Sequence, residues 1–167
     1  MVVPVVWLIA IGHVEIAFWL FAAAGVSDVV DGFIAKNFNA RTELGAYLDP
    51  LADKVLLNSI YVAMAMVGWL PVWLAFLVIL RDLLIIVGVV LIQRRYPIYR
   101  AKPLLIGKAN TFVQLLLAGV ALAHAGGLVE MGEQVSALII AVALTTLASG
   151  GGYAIQAVKA LHAERKS

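Results

Sequence analysis

Four aspartates crowd into one short run of this chain, SDVVDGFIAKNFNARTELGAYLDPLADK. They are Asp28, Asp31, Asp49 and Asp53. Spacings of three and four each put a pair on one face of a helix. A short connection between the two pairs makes their helices antiparallel neighbours, so the four carboxylates can converge. Left alone, like charges at this spacing repel, and desolvation disfavours their ionised forms. Protonation would relieve the cost, as would pairing with Lys36, Arg41 and Lys54, or binding of divalent cations. Mg²⁺ takes hard oxygen ligands, commonly a few carboxylates together with substrate phosphates. Two such ions can clamp a transferring phosphoryl group and its leaving group. Gly32 and Gly45 leave room beside the acids for a bulky ligand to approach the backbone. Lys36 and Arg41 offer positive charge to phosphates.

The rest of the chain says where such a cluster must sit. Of its 167 residues, 63% are hydrophobic and 13% charged, and the mean hydropathy is +1.01. A soluble domain is about 45–50% apolar and about 25% charged. A water-soluble globule, a disordered chain and a disulfide scaffold are therefore excluded, the last because there is no Cys. The net charge of +2 argues against a nucleic-acid partner. A bilayer is the expected solvent, and residues 1–167 read as a single transmembrane domain.

A spanning helix needs about 20 apolar residues. Apolar segments are read at 14–35, 50–69, 71–93, 109–127 and 134–157. The last carries Gly150, Gly151 and Gly152, which permit close helix contact and a local kink. A sixth segment, Met1–Ile11, is too short to cross alone and is interrupted by Gly12 and His13. No positive region precedes it, so it does not read as a cleaved signal peptide. It reads instead as half of a first span whose beginning is missing, the alternative being a partly buried N-terminal strut. Apart from Arg81, every Lys and Arg falls at one side: at 36–54, at 94–108, or in the C-terminal tail. The positive-inside rule places that side in the cytoplasm. Trp69 and Trp73 flank an opposite turn, and Tyr96 and Tyr99 mark the basic edge.

Further polar residues are candidates for binding. Lys108, Thr111 and Gln114 recur every three positions and are expected close to one face, with Arg100 and Lys102 preceding them. Together they could hold an anionic head group. Arg81 and Asp82 lie midway along a span, where ionisable residues are functional candidates by default. Adjacent helix positions point about 100° apart. The two therefore need not pair with each other, and Arg81 is expected to meet substrate phosphate or the acid cluster, the alternative being a structural pair that locks the bundle. His13, His124, Glu130 and Glu133 are expected to be solvated.

The motif Asp28, Asp31, Gly32, Ala35, Lys36, Gly45, Asp49, Asp53 resembles the pattern D-x2-D-G-x2-A-R-x8-G-x3-D-x3-D of the CDP-alcohol phosphotransferases. Lys36 is the one departure, since the family has Arg there; charge is kept but the bidentate fork is lost. The resemblance implies an all-α integral membrane protein, a six-helix bundle that is commonly a homodimer. The implied reaction moves a substituted phosphate from a CDP-linked donor to an alcohol and releases CMP. Asp28, Asp31, Asp49 and Asp53 would hold two Mg²⁺ or Mn²⁺ ions, and Asp53 would also act as base on the acceptor hydroxyl. Gly32, Ala35 and Gly45 would line the CMP site with Asp28, and Lys36 would face the diphosphate.

DPLADK resembles the lineage that uses CDP-diacylglycerol. KPLLIGKANTFVQ resembles the corresponding segment of the CMP-forming cardiolipin synthases, whose acceptor is phosphatidylglycerol. The phosphatidylglycerophosphate synthases, with glycerol 3-phosphate as acceptor, are the alternative. Arg41, Arg81, Arg100, Lys102, Lys108 and Thr111 are the candidates to bind acceptor or phosphate. An amphipathic N-x2-T-x2-R arm, usual before the first span in this family, is absent from this sequence. The expected location is a bacterial inner membrane with the site facing the cytoplasm, a mitochondrial inner membrane being the alternative. A non-enzymatic cation or proton-coupled transporter is the other class of reading. It would more naturally place its acids near the midplane and in related repeats, and no repeat is visible.

Overall fold

The computed structural model describes residues 2–37, 43–95 and 104–164, with side chains over 3–27, 30, 54–92 and 104–158. It contains six helices: α1 (Val2–Ala10), α2 (Val14–Asn37), α3 (Glu43–Met66), α4 (Val72–Arg95), α5 (Leu105–Ala125) and α6 (Gly132–Glu164). Among the described residues there is no strand. The all-α bundle expected from the sequence is what forms. In lipid every backbone N–H and C=O must be satisfied within its own segment, and the helix does this.

Helix bounds differ from the apolar segments in an instructive way. α3 begins at Glu43 rather than 50, α5 at Leu105 rather than 109, and α6 runs to Glu164 rather than 157. Hydropathy marks the apolar slab, whereas a helix runs on past it through polar residues. Gly150 to Gly152 cause no break in α6. Among the described residues, three stretches are long and apolar enough to cross a membrane: Val72–Ile92, Leu105–Ala125 and Gly132–Val158. The described apolar parts of α2 and α3, Val14–Ser27 and Lys54–Met66, are shorter.

α1, α3 and α5 end alike. In each, a glycine with φ of +71 to +82° follows the helix: Gly12, Gly68 and Gly127. The next residue donates back over five positions, His13 to Leu8, Trp69 to Met64 and Leu128 to Ala123, at 2.9–3.0 Å. This is the glycine-terminated motif that satisfies the last carbonyls of a helix, and a side chain would be strained at such a φ. All three closures occur at one end of the bundle, the turn end. The basic connections lie at the other.

The helices pack as a ring in the order α1, α2, α5, α6, α4, α3, with a further contact across it between α3 and α5. Val5, Ile9, Ala17, Ile60, Tyr61, Met64, Leu74, Leu117 and Leu122 form the buried core. Large apolar side chains cover the outside, among them Trp7, Trp19, Phe76, Leu84, Phe112 and Leu144. That surface suits lipid rather than water. One expectation is qualified. Among the described residues α2 and α3 are not in contact. α1 packs against both, with Val5 and Ile9 fully buried between its neighbours, so the short helix separates them toward the turn end.

Packing at the turn end is tight. A Cβ on Gly126 would lie 3.1 Å from Leu122 O, 3.2 Å from Glu15 N and 3.3 Å from Glu15 Cα. These are backbone atoms, which cannot swing aside. Gly126→Ala is therefore expected to destabilise the protein by about 1–3 kcal/mol and to lower its melting temperature in detergent. Gly25→Ala, where nothing lies within 4 Å, should not lower it.

Candidate active site

The acid motif is divided between two helices. Asp28, Asp31, Gly32, Ala35 and Lys36 belong to α2, and Gly45, Asp49 and Asp53 to α3. Their side chains, together with Arg41, Arg100 and Lys102, lie outside the described residues. What is described starts one residue past Asp53, at Lys54.

Lys54 Nζ donates to Asp82 Oδ1 at 3.0 Å. Arg81 Nη1 donates to the same oxygen at 2.6 Å. Asn58 Nδ2, one turn beyond Lys54 on α3, stands 3.5 Å from Asp82 Oδ2. Arg81 Nη2 donates to Ser149 Oγ on α6, and the guanidinium carbon lies 5.8 Å from the centroid of the Tyr153 ring. Arg81 is 7% and Asp82 5% exposed, so this ion pair is buried among apolar helices. Three helices meet on one carboxylate and its arginine.

Of the two readings, the structural pair is the one seen: Arg81 and Asp82 are adjacent, yet the long arginine side chain folds back to its neighbour's carboxylate. Arg81 is held by Asp82, Ser149 and Tyr153, and among the described residues its Nε has no partner.

The first turn of α5 closes over this network. A Cβ on Gly107 would lie 3.3 Å from Tyr153 Oη and 3.5 Å from Arg81 Nη2, so the α5 backbone passes close to both, and a side chain there would press on the tyrosine hydroxyl. Leu104 N donates to Tyr153 Oη at 3.4 Å. Further in, Asn110 Oδ1 accepts from Thr145 at 2.8 Å and Thr146 at 2.9 Å. Tyr61 Oη donates to the backbone carbonyl of Gln114 at 3.0 Å. Among the described residues, Asn58 Oδ1, Asn110 Nδ2 and Gln114 Nε2 are buried without a partner. Groups of that kind are ordinarily met by water or by ligand oxygens.

The expected stripe of Lys108, Thr111 and Gln114 is split. Lys108 and Thr111 are exposed, and Thr111 Oγ1 bonds back to Gly107 O at 3.2 Å. Gln114 is 2% exposed and faces the core. A spacing of three drifts about 60° per step on an α-helix, so three such positions spread over a third of its circumference. Ser149 and Tyr153 escaped the sequence reading. Their signal was the small-residue run SGGGY, which read only as a packing feature. His13, His124, Glu130 and Glu133 are exposed, as expected.

The donor set at 28, 31, 49 and 53 consists of hard carboxylate oxygens, which suit Mg²⁺ or Mn²⁺. Among the described residues Lys54 is the cation nearest to Asp53 in sequence, and its ammonium is engaged by Asp82.

Comparison with known proteins covers most of the chain. The family profile described as CDP-alcohol phosphatidyltransferase matches residues 1–148. The human protein named cardiolipin synthase (CMP-forming) is 40% identical over 125 residues, covering 65% of this chain and 42% of the human one. The rice (Oryza sativa subsp. japonica) CDP-diacylglycerol–glycerol-3-phosphate 3-phosphatidyltransferase 1, chloroplastic, is 37% identical over 172 residues, covering 92% of this chain and 52% of the rice one. A probable phosphatidylglycerophosphate synthase of Mycobacterium tuberculosis is 33% identical over 144 residues, covering 86% and 66% respectively. The chain thus spans from about two-fifths to two-thirds of the length of these curated relatives. With its profile match, its acid motif and its helical bundle, this chain belongs to the CDP-alcohol phosphatidyltransferase family.

Proposed function

We propose that this protein transfers a phosphatidyl group from CDP-diacylglycerol to a hydroxyl of phosphatidylglycerol, giving cardiolipin and CMP. The observation that carries the reading is the eight-position motif from Asp28 to Asp53, set on α2 and α3 inside the matched family region. The 40% identity to the human cardiolipin synthase supports the acceptor, as does the segment KPLLIGKANTFVQ. A second reading has its own support. The rice relative, whose name specifies glycerol 3-phosphate, aligns over 92% of this chain against 65% for the human one. The acceptor would then be glycerol 3-phosphate. Family membership leaves the transporter reading without support.

In the proposed reaction Asp53 takes the proton of the acceptor hydroxyl. The oxygen attacks the phosphorus that carries diacylglycerol, a new P–O bond forms, and the anhydride P–O bond breaks to release CMP. Lys36 meets the negative charge of the diphosphate, while Gly32, Ala35 and Gly45 leave space for the cytidine moiety. Asp28, Asp31, Asp49 and Asp53 would hold two divalent ions, Mg²⁺ or Mn²⁺. When bound, these supply neutralisation of the phosphate charge in the transition state. No protein nucleophile is needed, because positioning, charge neutralisation and a base suffice. Arg41, Arg100, Lys102, Lys108 and Thr111 are proposed to bind the acceptor head group. Arg81, fixed by Asp82 and Ser149, is a further candidate to meet phosphate. The reading places the protein in a bacterial inner membrane as a homodimer, with its site facing the cytoplasm.

The deciding experiment follows CMP and lipid product together, using purified protein in detergent with Mg²⁺ or Mn²⁺ and CDP-diacylglycerol. Cardiolipin and CMP formed only with phosphatidylglycerol are the expected result. Product only with glycerol 3-phosphate would replace it with the second reading. In the same assay Asp53→Asn should cut turnover about 10²–10⁴-fold, the usual range for loss of a general base, while the melting temperature stays near that of the parent. Normal turnover by Asp53→Asn would remove the base assignment.

A further inference from the structure

Asp82 carries one negative charge but binds two cations on a single oxygen, Lys54 Nζ at 3.0 Å and Arg81 Nη1 at 2.6 Å. Arg81 alone neutralises it, and Arg81 is further anchored by Ser149 and the Tyr153 ring. Lys54 is therefore surplus as a counter-charge. It is also the residue next to Asp53.

The surplus cation has an obvious competing destination. Lysine is a compact charge on a flexible four-carbon stem. Positions 53 and 49 lie about 100° and about 140° round α3 from position 54. A loose ammonium in a low-dielectric setting seeks a carboxylate, and the acids nearest to Lys54 in sequence on α3 are Asp53 and Asp49. Asp82 offers a fixed alternative. It is 5% exposed, is oriented by Arg81, and has its second oxygen 3.5 Å from Asn58 Nδ2. Lys54 and Asn58 are four apart on α3 and both meet Asp82, so α3 turns this side toward α4.

We propose that Asp82 is a positioning residue that holds the Lys54 ammonium away from the motif acids, so that their charge stays available for divalent cations. The inference rests on the metal-binding reading of Asp28, Asp31, Asp49 and Asp53. Its effect is on ion affinity, exerted through Lys54, and Asp82 itself touches neither ion nor substrate.

The test is a double-mutant cycle on the full chain in detergent. Mn²⁺ binding is read from the electron paramagnetic resonance signal of free Mn²⁺, with no substrate present. Asp82→Asn should weaken Mn²⁺ binding about tenfold by releasing a unit charge toward the acids. Lys54→Met in that background should restore affinity to within about twofold of the parent, whereas alone it should change affinity by less than about twofold. Equal effects of Lys54→Met in both backgrounds would mean that the two charges act independently, and would overturn the proposal. So would an Asp82→Asn variant that binds Mn²⁺ normally. If Asp82→Asn does not fold, Lys54→Met alone decides. Unchanged affinity supports sequestration, and a severalfold gain shows an ammonium already shared with the acids and overturns it. A parent protein that binds no Mn²⁺ would bring down the metal reading and this proposal together. A parent that binds, with an additive cycle, would bring down the proposal alone.

Discussion

The constraint on which this bundle depends is that charge within an apolar interior must be answered nearby. Arg81 and Asp82 are both less than a tenth exposed, and an unpaired charge buried there is costly. Each is therefore met from a neighbouring helix as well as by the other: Asp82 by Lys54 and Asn58 of α3, Arg81 by Ser149 and Tyr153 of α6. An apolar pair of equal volume would pack as well. The ionic arrangement adds direction, because a carboxylate accepts only where donors are placed, and this fixes the rotation of α3 against α4 and of α4 against α6. The rotation of α3 matters most, since Asp49 and Asp53 are on it.

Close approach of α5 is the second condition. This helix touches α2, α3 and α6, and its inner face is made of Leu117, Ala118, Ala121 and Leu122. Small residues let it sit centrally. Gly107 passes next to Arg81 and Tyr153, Gly119 lies 3.7 Å from the Phe21 ring by its missing Cβ, and Gly126 abuts the backbone at Glu15. In lipid there is no water to drive helices together, so such contacts and the buried hydrogen bonds of Asn110 and Tyr61 carry the association. The turn end is closed by three short glycine-terminated connections. The helices are thus tied at the end away from the motif, which leaves the opposite end to chemistry.

What was legible in the sequence was local. The apolar runs gave six helices because composition alone decides that a segment prefers lipid. The acid motif was legible because its spacing is a property of one short stretch. The node beneath it was not. Ser149 and Tyr153 come from a helix 68 and 72 positions beyond Arg81, and nothing near them announces a partner. The pairing of Arg81 with Asp82 was the less favoured of two readings for a related reason. Counting 100° per residue treats a side chain as a spoke, while arginine is long enough to turn back and does so when its other end is pinned by Ser149. The same reasoning explains Gln114, whose spacing from Lys108 suggested a shared face. Its place is set by the turn of α5 toward α3, where Tyr61 bonds to its carbonyl. Spacing predicts which residues can meet. Which of them do meet is decided by the helices that arrive from elsewhere in the chain, and in this protein those arrivals determine where the cation next to the motif goes.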